Sequence, residues 1–330
     1  MDMNKVKSEI GKKFERAMVT GGAGFVGSNV IEELLDAGID VVSVDDFSAG
    51  KEENIKPFLS NPRFKSIKCD VSDYDNFKKA FDGVDVVFHQ AASKKNICLK
   101  DPRRDLAVNA GGAFNVMELS RDLGVKKVVH VSTGSVYGEA VVLPQDESHP
   151  LNPVSYYGVS KLAGERYANA FCHLYGLDTT ILRYFHVYGQ RQEWGVFGGV
   201  IPIFINQILN SKNPTIFGDG TQERSFTYVK DVANINLFVS VNENTKGEAY
   251  NCASGVNVTV NQMCDELLKR MKRTDLSPVY SDWTIGDIKK FDISNEKIRS
   301  LGFEFLTSFD EGLDNTIADY VSRYEAGLIS

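Results

Sequence analysis

Along the first two thirds of the chain, short β-branched runs alternate with longer stretches whose apolar positions recur at helical spacing. AMVTG (17–21), VVSVD (41–45), VDVVFHQAA (84–92), KKVVHVST (126–133) and DTTILRYF (178–185) read as strands. Between the first two lies FVGSNVIEELLDAG, in which Val26, Val30 and Leu34 stand four apart beside Gly27, Ile31 and Leu35. That spacing predicts a helix with one buried face, stopped at Gly38. Further helices are predicted near 102–123 and 157–175. Strand–helix alternation at this spacing implies an α/β fold with a Rossmann-type, doubly wound parallel sheet.

After about residue 188 the pattern changes. Aromatics, glycines and prolines gather in GQRQEWGVFGGVIPIF and NPTIFGDGTQERSF, and helices are expected over 260–273 and 294–303. This predicts a smaller C-terminal α/β substrate lobe (189–225 and 254–330) beside a dinucleotide domain (17–188 and 226–253), with the chain crossing back to the sheet in 226–253. Residues 1–16, MDMNKVKSEIGKKFER, read as a polar tail or a short surface helix.

Composition narrows the field. The net charge is −7 with no basic stripe, which argues against nucleic acid. No apolar run reaches the roughly 18 residues of a membrane span, and the start lacks a signal-like apolar core. The five cysteines (Cys69, Cys98, Cys172, Cys252, Cys264) are widely spaced without CxxC, as free thiols in a reducing, cytoplasmic setting would be. The five histidines show no ligand spacing, so no metal site is expected.

TGGAGFVG (20–27) joins the first strand to its helix, with Gly21, Gly24 and Gly27 spaced G-x-x-G-x-x-G. Glycines there permit a tight turn, close approach of a pyrophosphate, and packing of helix on sheet, while the helix N-terminus offers free N–H groups. Asp45 follows Gly27 by 18 residues, at the end of the second strand, where an acid accepts ribose hydroxyls. Asp45 and Asp46 would repel a 2′-phosphate, which favours NAD over NADP; the alternative is that Asp45 merely opens the turn DDFSAG. Asp70 and Val71, after the third strand, either flank the adenine or form a polar strand end.

In SYYGVSK (155–161), Tyr157 and Lys161 stand one helical turn apart, whereas Tyr156 points about 100° away. A tyrosine of pKa about 10 needs a shift of roughly 3 units, about 4 kcal/mol, to act as a base at pH 7. One ammonium about 6 Å away supplies about 2.8 kcal/mol at an effective dielectric near 20. Lys161 alone falls short, so the phenol is expected to be most basic with NAD⁺ bound. Upstream, HVSTGSVYG (130–138) ends a strand with Ser132, Thr133 and Ser135. A hydroxyl there can bond substrate and relay a proton to Tyr157. Thr133 is favoured, with Ser135 or Ser132 as alternatives, and Ser132 fits a capping role.

With these elements together, the chain resembles the extended short-chain dehydrogenase/reductase superfamily, and within it the nucleotide-sugar epimerase/dehydratase family. The match spans most of 17–310 through TGGAGFVGSN, VDDFSAGKEEN, FHQAA, STGSVYG, SYYGVSKLAGER, LRYFHVYGQRQ, GVIPIFI, IFGDGTQERSFTYVKDVA and YNCASG. The resemblance implies an enzyme with bound NAD whose cofactor also meets Phe25, Val26, Gln90, Ala91, Ala92, Asn109 and Tyr184. It implies that Lys94 and His186 face the sugar and its phosphates, that Val200, Thr215 and Phe217 line the base pocket, and that Arg224 holds the diphosphate. It also implies a homodimer formed through helices at 102–123 and 157–175.

Members of this family begin by oxidising the sugar at C4. In the dehydratases Asp-Glu usually follows the threonine, and in the decarboxylases a glutamate stands two after it. Here Gly134 and Ser135 follow, which implies 4-epimerisation of a UDP-hexose or UDP-N-acetylhexosamine. Three departures stand out. His186 occupies a frequent asparagine position, Thr284 replaces an arginine before x-Gly-Asp, and the stretch up to Asp292 is about two residues short. Lys289 or Lys290 could replace that cation, or be solvated surface charge. The rivals are a 4,6-dehydratase, decarboxylase or dehydrogenase of the same fold and, more distantly, a non-catalytic NAD sensor.

Overall fold

The computed structural model describes residues 2–93, 95–195, 198–283 and 292–329. Six strands follow in chain order over the first 184 residues: β1 (Arg16–Thr20), β2 (Asp40–Asp45), β3 (Phe64–Lys68), β4 (Val86–His89), β5 (Lys127–Thr133) and β6 (Thr179–Tyr184). A later strand, β7 (Ala249–Cys252), joins beside β6. The order is β3-β2-β1-β4-β5-β6-β7 and every pairing is parallel.

Both faces of the sheet are covered, which explains the nearly continuous apolar strands. Ala17, Val19, Val86 and Phe88 point to one core, and Met18, Val87 and Val128 to the other, by the two-residue period of a strand. On the first face lie α1 (Met3–Lys13) and α2 (Phe25–Asp36). On the second lie α3 (Ala113–Asp122) and α4 (Tyr156–Tyr175). Beyond residue 188, α5 (Val200–Leu209) enters the chain, and then α6 (Val229–Val241) packs on the first face. Two further helices, α7 (Val260–Arg270) and α8 (Phe309–Glu325), build a third core with α5 from Ile205, Ile208, Met263, Leu267, Leu313 and Tyr320.

The structure departs from the sequence expectations at four places. Residues 3–13 form no frayed tail: Asp2 caps α1, and Val6, Ile10 and Phe14 are buried against α2 and α6. The polar spelling of the segment hid a three-residue apolar stripe. The helix expected over 102–123 is broken into Pro102–Asp105, a wide π-turn over Leu106–Gly112, and α3. The break coincides with Asn109, whose side chain bonds three partners described below. The strand expected over 84–92 stops at His89, because Gln90–Ala92 leave the sheet for a cleft. Helices α5 and α8 went unforeseen, α5 because glycines and a proline at its start mask an apolar run. Among the described residues, no helix is long and apolar enough to cross a membrane.

Ile10 is fully buried in the first core. Ile10→Ala is expected to lower unfolding stability by about 2–4 kcal/mol, read from urea titrations; a change under 0.5 kcal/mol would mean that α1 does not contribute to the core.

Candidate active site

At the C-terminal ends of the strands a cavity of about 480 Å³ runs from the glycine loop to α4. Parallel sheets place ligands there, at the point where strand order reverses. Here that point lies between β1 and β4. Gly21 takes φ +65°, and a Cβ on it would meet Ala91 N at 2.8 Å. At Gly27 a Cβ would run into Gly21 O. Both glycines are therefore demanded by packing of the loop on the β4 end and on α2. The start of α2 has no side-chain cap, so its first N–H groups stay available to an anion. Gly21, Gly24, Phe25, Val26, Asp45, Asp46, Asp70, Val71, Gln90, Ala91, Ala92 and Tyr184 all line this cavity. A glycine cradle that no side chain could share, below an uncapped helix, fits the diphosphate of a dinucleotide.

The acids at the far end are more constrained than the sequence suggests. Asp45 accepts the Ala23 N–H at 2.9 Å and the Phe47 N–H at 2.8 Å, and burial pushes its carboxyl above the usual range. Each oxygen keeps a lone pair for a ribose hydroxyl. Asp46 is not a bare negative charge: Arg104 donates to it at 2.7 Å and to Asp70 at 2.5 Å. Asp46 thus reaches the cavity as part of an ion pair shared with Asp70, and Asp45 as a buried carboxylate. Burial works upward on Asp70, but the Ser72 N–H and Arg104 together hold it below its ordinary value.

Ser155 starts α4 by accepting the Gly158 N–H at 3.1 Å. Tyr157, Lys161 and Glu165 then fall on one inward stripe, while Tyr156 is 57% exposed. Tyr157 and Lys161 line the cavity with Thr133, and Lys161 is 1% exposed. Burial pushes the Tyr157 phenol up to about 12, against a hydrogen bond from Thr133 that draws it down, with Cys98 and Asp105 adding upward pressure. Burial lowers Lys161 to about 8, opposed by Glu165 and Asp105. The expected activation of the phenol by Lys161 is thus not built into the protein alone. Desolvation outweighs it, and the lysine's charge bears on His89 and His130 instead. These two imidazoles stack at 5.3 Å on β4 and β5, fully buried. Burial, then Lys161, holds His89 down to about 3 and His130 well below its usual value, so both are neutral.

Two networks hold α4 in place, and neither was foreseen. Asn109 accepts the Ser93 N–H at 2.8 Å and donates to Asp105 at 2.6 Å and to Ser160 at 3.2 Å. Asn109 therefore sits behind the cavity wall rather than in it, tying the end of β4 to α4. On the other side of the helix, Arg183 of β6 clasps Glu165 with two hydrogen bonds of 2.9 and 2.8 Å. Arg183 also donates to Tyr137, which donates to Asn251 of β7 at 2.7 Å. Glu165 was visible as the acid eight residues after Tyr157 in SYYGVSKLAGER, one further turn of the same stripe.

The predicted substrate residues are brought together only in part. His186 lines the cavity with φ +27°. Ser135 stays one step back, its N–H bonded to Thr133 Oγ1 at 3.2 Å. Val200 opens α5 at the cavity edge, next to Gly199. Thr215 and Phe217 lie on a short strand paired with Val279–Ser281, beside a separate shallow hollow that includes Trp283. Arg224 is buried and donates to Glu223 O. Lys94, Thr284, Lys289 and Lys290 lie outside the described residues. The cavity also recruits Lys51 and Arg191, which fall within VDDFSAGKEEN and LRYFHVYGQRQ without an assigned role, and Trp194 and Arg323, which lie outside the family motifs.

Comparison with known proteins agrees with this geometry. The model of the NAD dependent epimerase/dehydratase family matches residues 17–253. A Methanocaldococcus jannaschii protein, provisionally named UDP-glucose 4-epimerase, is 37% identical over 303 residues, covering 91% of this chain and 96% of its own. UDP-glucuronic acid decarboxylase 1 of Arabidopsis thaliana is 31% identical over 327 residues, covering 97% and 73%. The crystal structure of the Thermotoga maritima UDP-glucose 4-epimerase with UDP-glucose superposes with a TM-score of 0.87 at 36% identity, covering 94% and 99%.

A lysine whose pKa is lowered by the fold destabilises the fold wherever it is charged. The penalty is complete below about pH 8 and fades as pH rises toward the unfolded value of 10.5. Lys161→Met is expected to stabilise the protein at pH 7 by up to about 3 kcal/mol, with the gain shrinking by pH 10. Urea titrations at the two pH values check this, and a loss of stability at pH 7 would contradict it.

Proposed function

We propose, on the premise that this chain belongs to the NAD dependent epimerase/dehydratase family, that it is a UDP-sugar 4-epimerase. Its cofactor is NAD. The observation that carries the reading is at position 134. A Cβ on Gly134 would press into the Phe185 ring, with Cδ1 at 2.7 Å. Phe185 is itself 4% exposed beneath the site. An acid at 134, as the dehydratases usually carry after the threonine, therefore has no room here, and Ser135 offers no carboxylate in its place. With no acid at either position to expel water or steer a decarboxylation, return of hydride to C4 is the remaining fate of a 4-keto sugar.

NAD supplies the acceptor and donor of that hydride. The chain's residues manage the proton and the geometry. Thr133 bonds the C4 hydroxyl and passes its proton to Tyr157. Because burial holds the phenol up to about 12 even with Lys161 in the same cavity, Tyr157 stays protonated at neutral pH until a second cation joins it. Proton removal is thereby confined to the loaded enzyme. Lys161, buried and lacking a hydrogen-bond partner among the described residues, offers its ammonium to the cofactor ribose. The 4-keto sugar turns about its diphosphate and receives hydride on the opposite face, while Tyr157 returns the proton.

The substrate is a UDP-hexose or a UDP-N-acetylhexosamine; GVIPIFI and HQAA, which are similar to the motifs of epimerases accepting N-acetylated hexosamines, favour the second. A homodimer is supported by the exposed apolar side chains of Leu106 before α3 and of Tyr156, Val159 and Leu174 on α4. The Arabidopsis relative keeps decarboxylation as the second reading.

Incubation with a panel of UDP-sugars, followed by NMR, is expected to yield a C4 isomer of unchanged mass; loss of water or carbon dioxide would replace the epimerase reading. Tyr157→Phe is expected to cut turnover about 10²–10⁴-fold while NAD stays bound. Thr133→Ala at full activity would move the relay to Ser135 or Ser132. Sedimentation of the wild type is expected to give a dimer, and Val159→Glu a monomer.

A further inference from the structure

Arg323 stands near the end of α8, 9% exposed, and its side chain lines the same cavity as the glycine loop. One amino group, Nη2, donates to Glu53 at 3.1 Å. The other, Nη1, is buried with no hydrogen-bond partner among the described residues, although Asp319 lies 3.5 Å away, one turn back. Nη1 therefore has the Asp319 carboxylate at ion-pair distance but no hydrogen bond, and a buried guanidinium left short of a full hydrogen bond gains from an anion entering the cavity that Arg323 lines. Its plane is set by neighbours: the guanidinium lies 5.4 Å from the Trp194 ring, and the Lys51 ammonium 3.6 Å over that ring. Arg191, also on the wall, repeats the pattern: it donates Nη2 to Asn29, yet buries Nε without a partner.

The location selects the anion. Lys51 N donates to Ala23 O at 2.9 Å, and the Asn54 side chain donates to the same oxygen at 2.9 Å. Lys51 and Glu53 are therefore pinned to the glycine loop, and Arg323 is pinned to Glu53. α8 is in turn fastened to the segment before Trp194, since Asp319 accepts the Arg191 N–H at 3.0 Å and Tyr320 donates to Gln192 O.

We infer that Arg323, from the C-terminal helix, is a diphosphate ligand of the bound dinucleotide, closing over it from the lobe opposite the glycine loop. The shared chemistry is a diphosphate, which the cofactor and the sugar nucleotide both carry; the link to Ala23 assigns it to the cofactor. The inference concerns retention of the dinucleotide and holds whatever the fate of the sugar.

The test uses the full-length protein as purified, with cofactor retained through gel filtration, NADH binding followed by fluorescence, and UDP binding by calorimetry. Arg323→Met keeps the apolar stem beside Trp194. It is expected to weaken NADH binding and NAD retention about 10–100-fold, the worth of a charge-assisted hydrogen bond, with UDP affinity unchanged. Arg323→Lys is expected to restore part of the loss, and if Arg323→Met fails to fold, the lysine variant carries the same reading with a smaller loss. Weaker UDP binding at unchanged NADH affinity would overturn the inference and hand Arg323 to the sugar nucleotide. Unchanged affinity for both would overturn it as well.

Discussion

The site depends on one ammonium kept out of water. Lys161 is almost fully enclosed, and it is carried into that position by a helix that the sheet grips from behind. The Glu165–Arg183 pair supplies the grip, with both of its hydrogen bonds in the buried layer between α4 and β6. Such a pair is a poor source of net stability, because both ions lose their hydration. Its value here is positional: it fixes the rotation of α4, and so decides that Tyr157 and not Tyr156 faces the cleft. Around it the buried imidazoles, the phenol and the lysine itself shift toward their neutral forms. The two histidines stay neutral, the phenol stays protonated, and the lysine is drawn toward neutrality.

Burial raises the phenol and lowers the lysine, so the folded chain pushes both away from the catalytic protonation pair. A positively charged ligand in the same low-dielectric space acts strongly on each of them. The arrangement couples proton chemistry to cofactor occupancy, which suits an enzyme that must return its hydride to the same molecule. Two cations line the other end of the same cavity, Arg104 between two aspartates and Arg323 beside Trp194.

Much of this was legible in the residues because it rests on local spacing. Glycines at 21, 24 and 27, an acid closing β2, and a tyrosine and lysine one turn apart each encode a backbone conformation or a helical face that needs no knowledge of the rest of the chain. Parallel strands likewise announce themselves as short apolar runs. Local reasoning failed where a segment's role depended on a distant partner. The stripe Val6–Ile10–Phe14 acquires meaning only against α2 and α6. Asp46 looks like a free charge until Arg104 arrives from 58 residues away. Asn109 looks like a helix residue until it reaches Ser93 and Ser160.

By itself, then, the sequence determined the α/β class, the glycine loop, the acid closing β2 and the tyrosine–lysine pair on one helical face, since each follows from periodicity or from a fixed interval along one element. Tertiary structure alone decided the electrostatics: which charges are paired, which are dry, and which side chain blocks position 134. Burial and ion pairing depend on what lies within a few ångströms in space, and the chain brings residues 51, 194 and 323 to one cavity from distant stretches. No interval along the chain records that proximity.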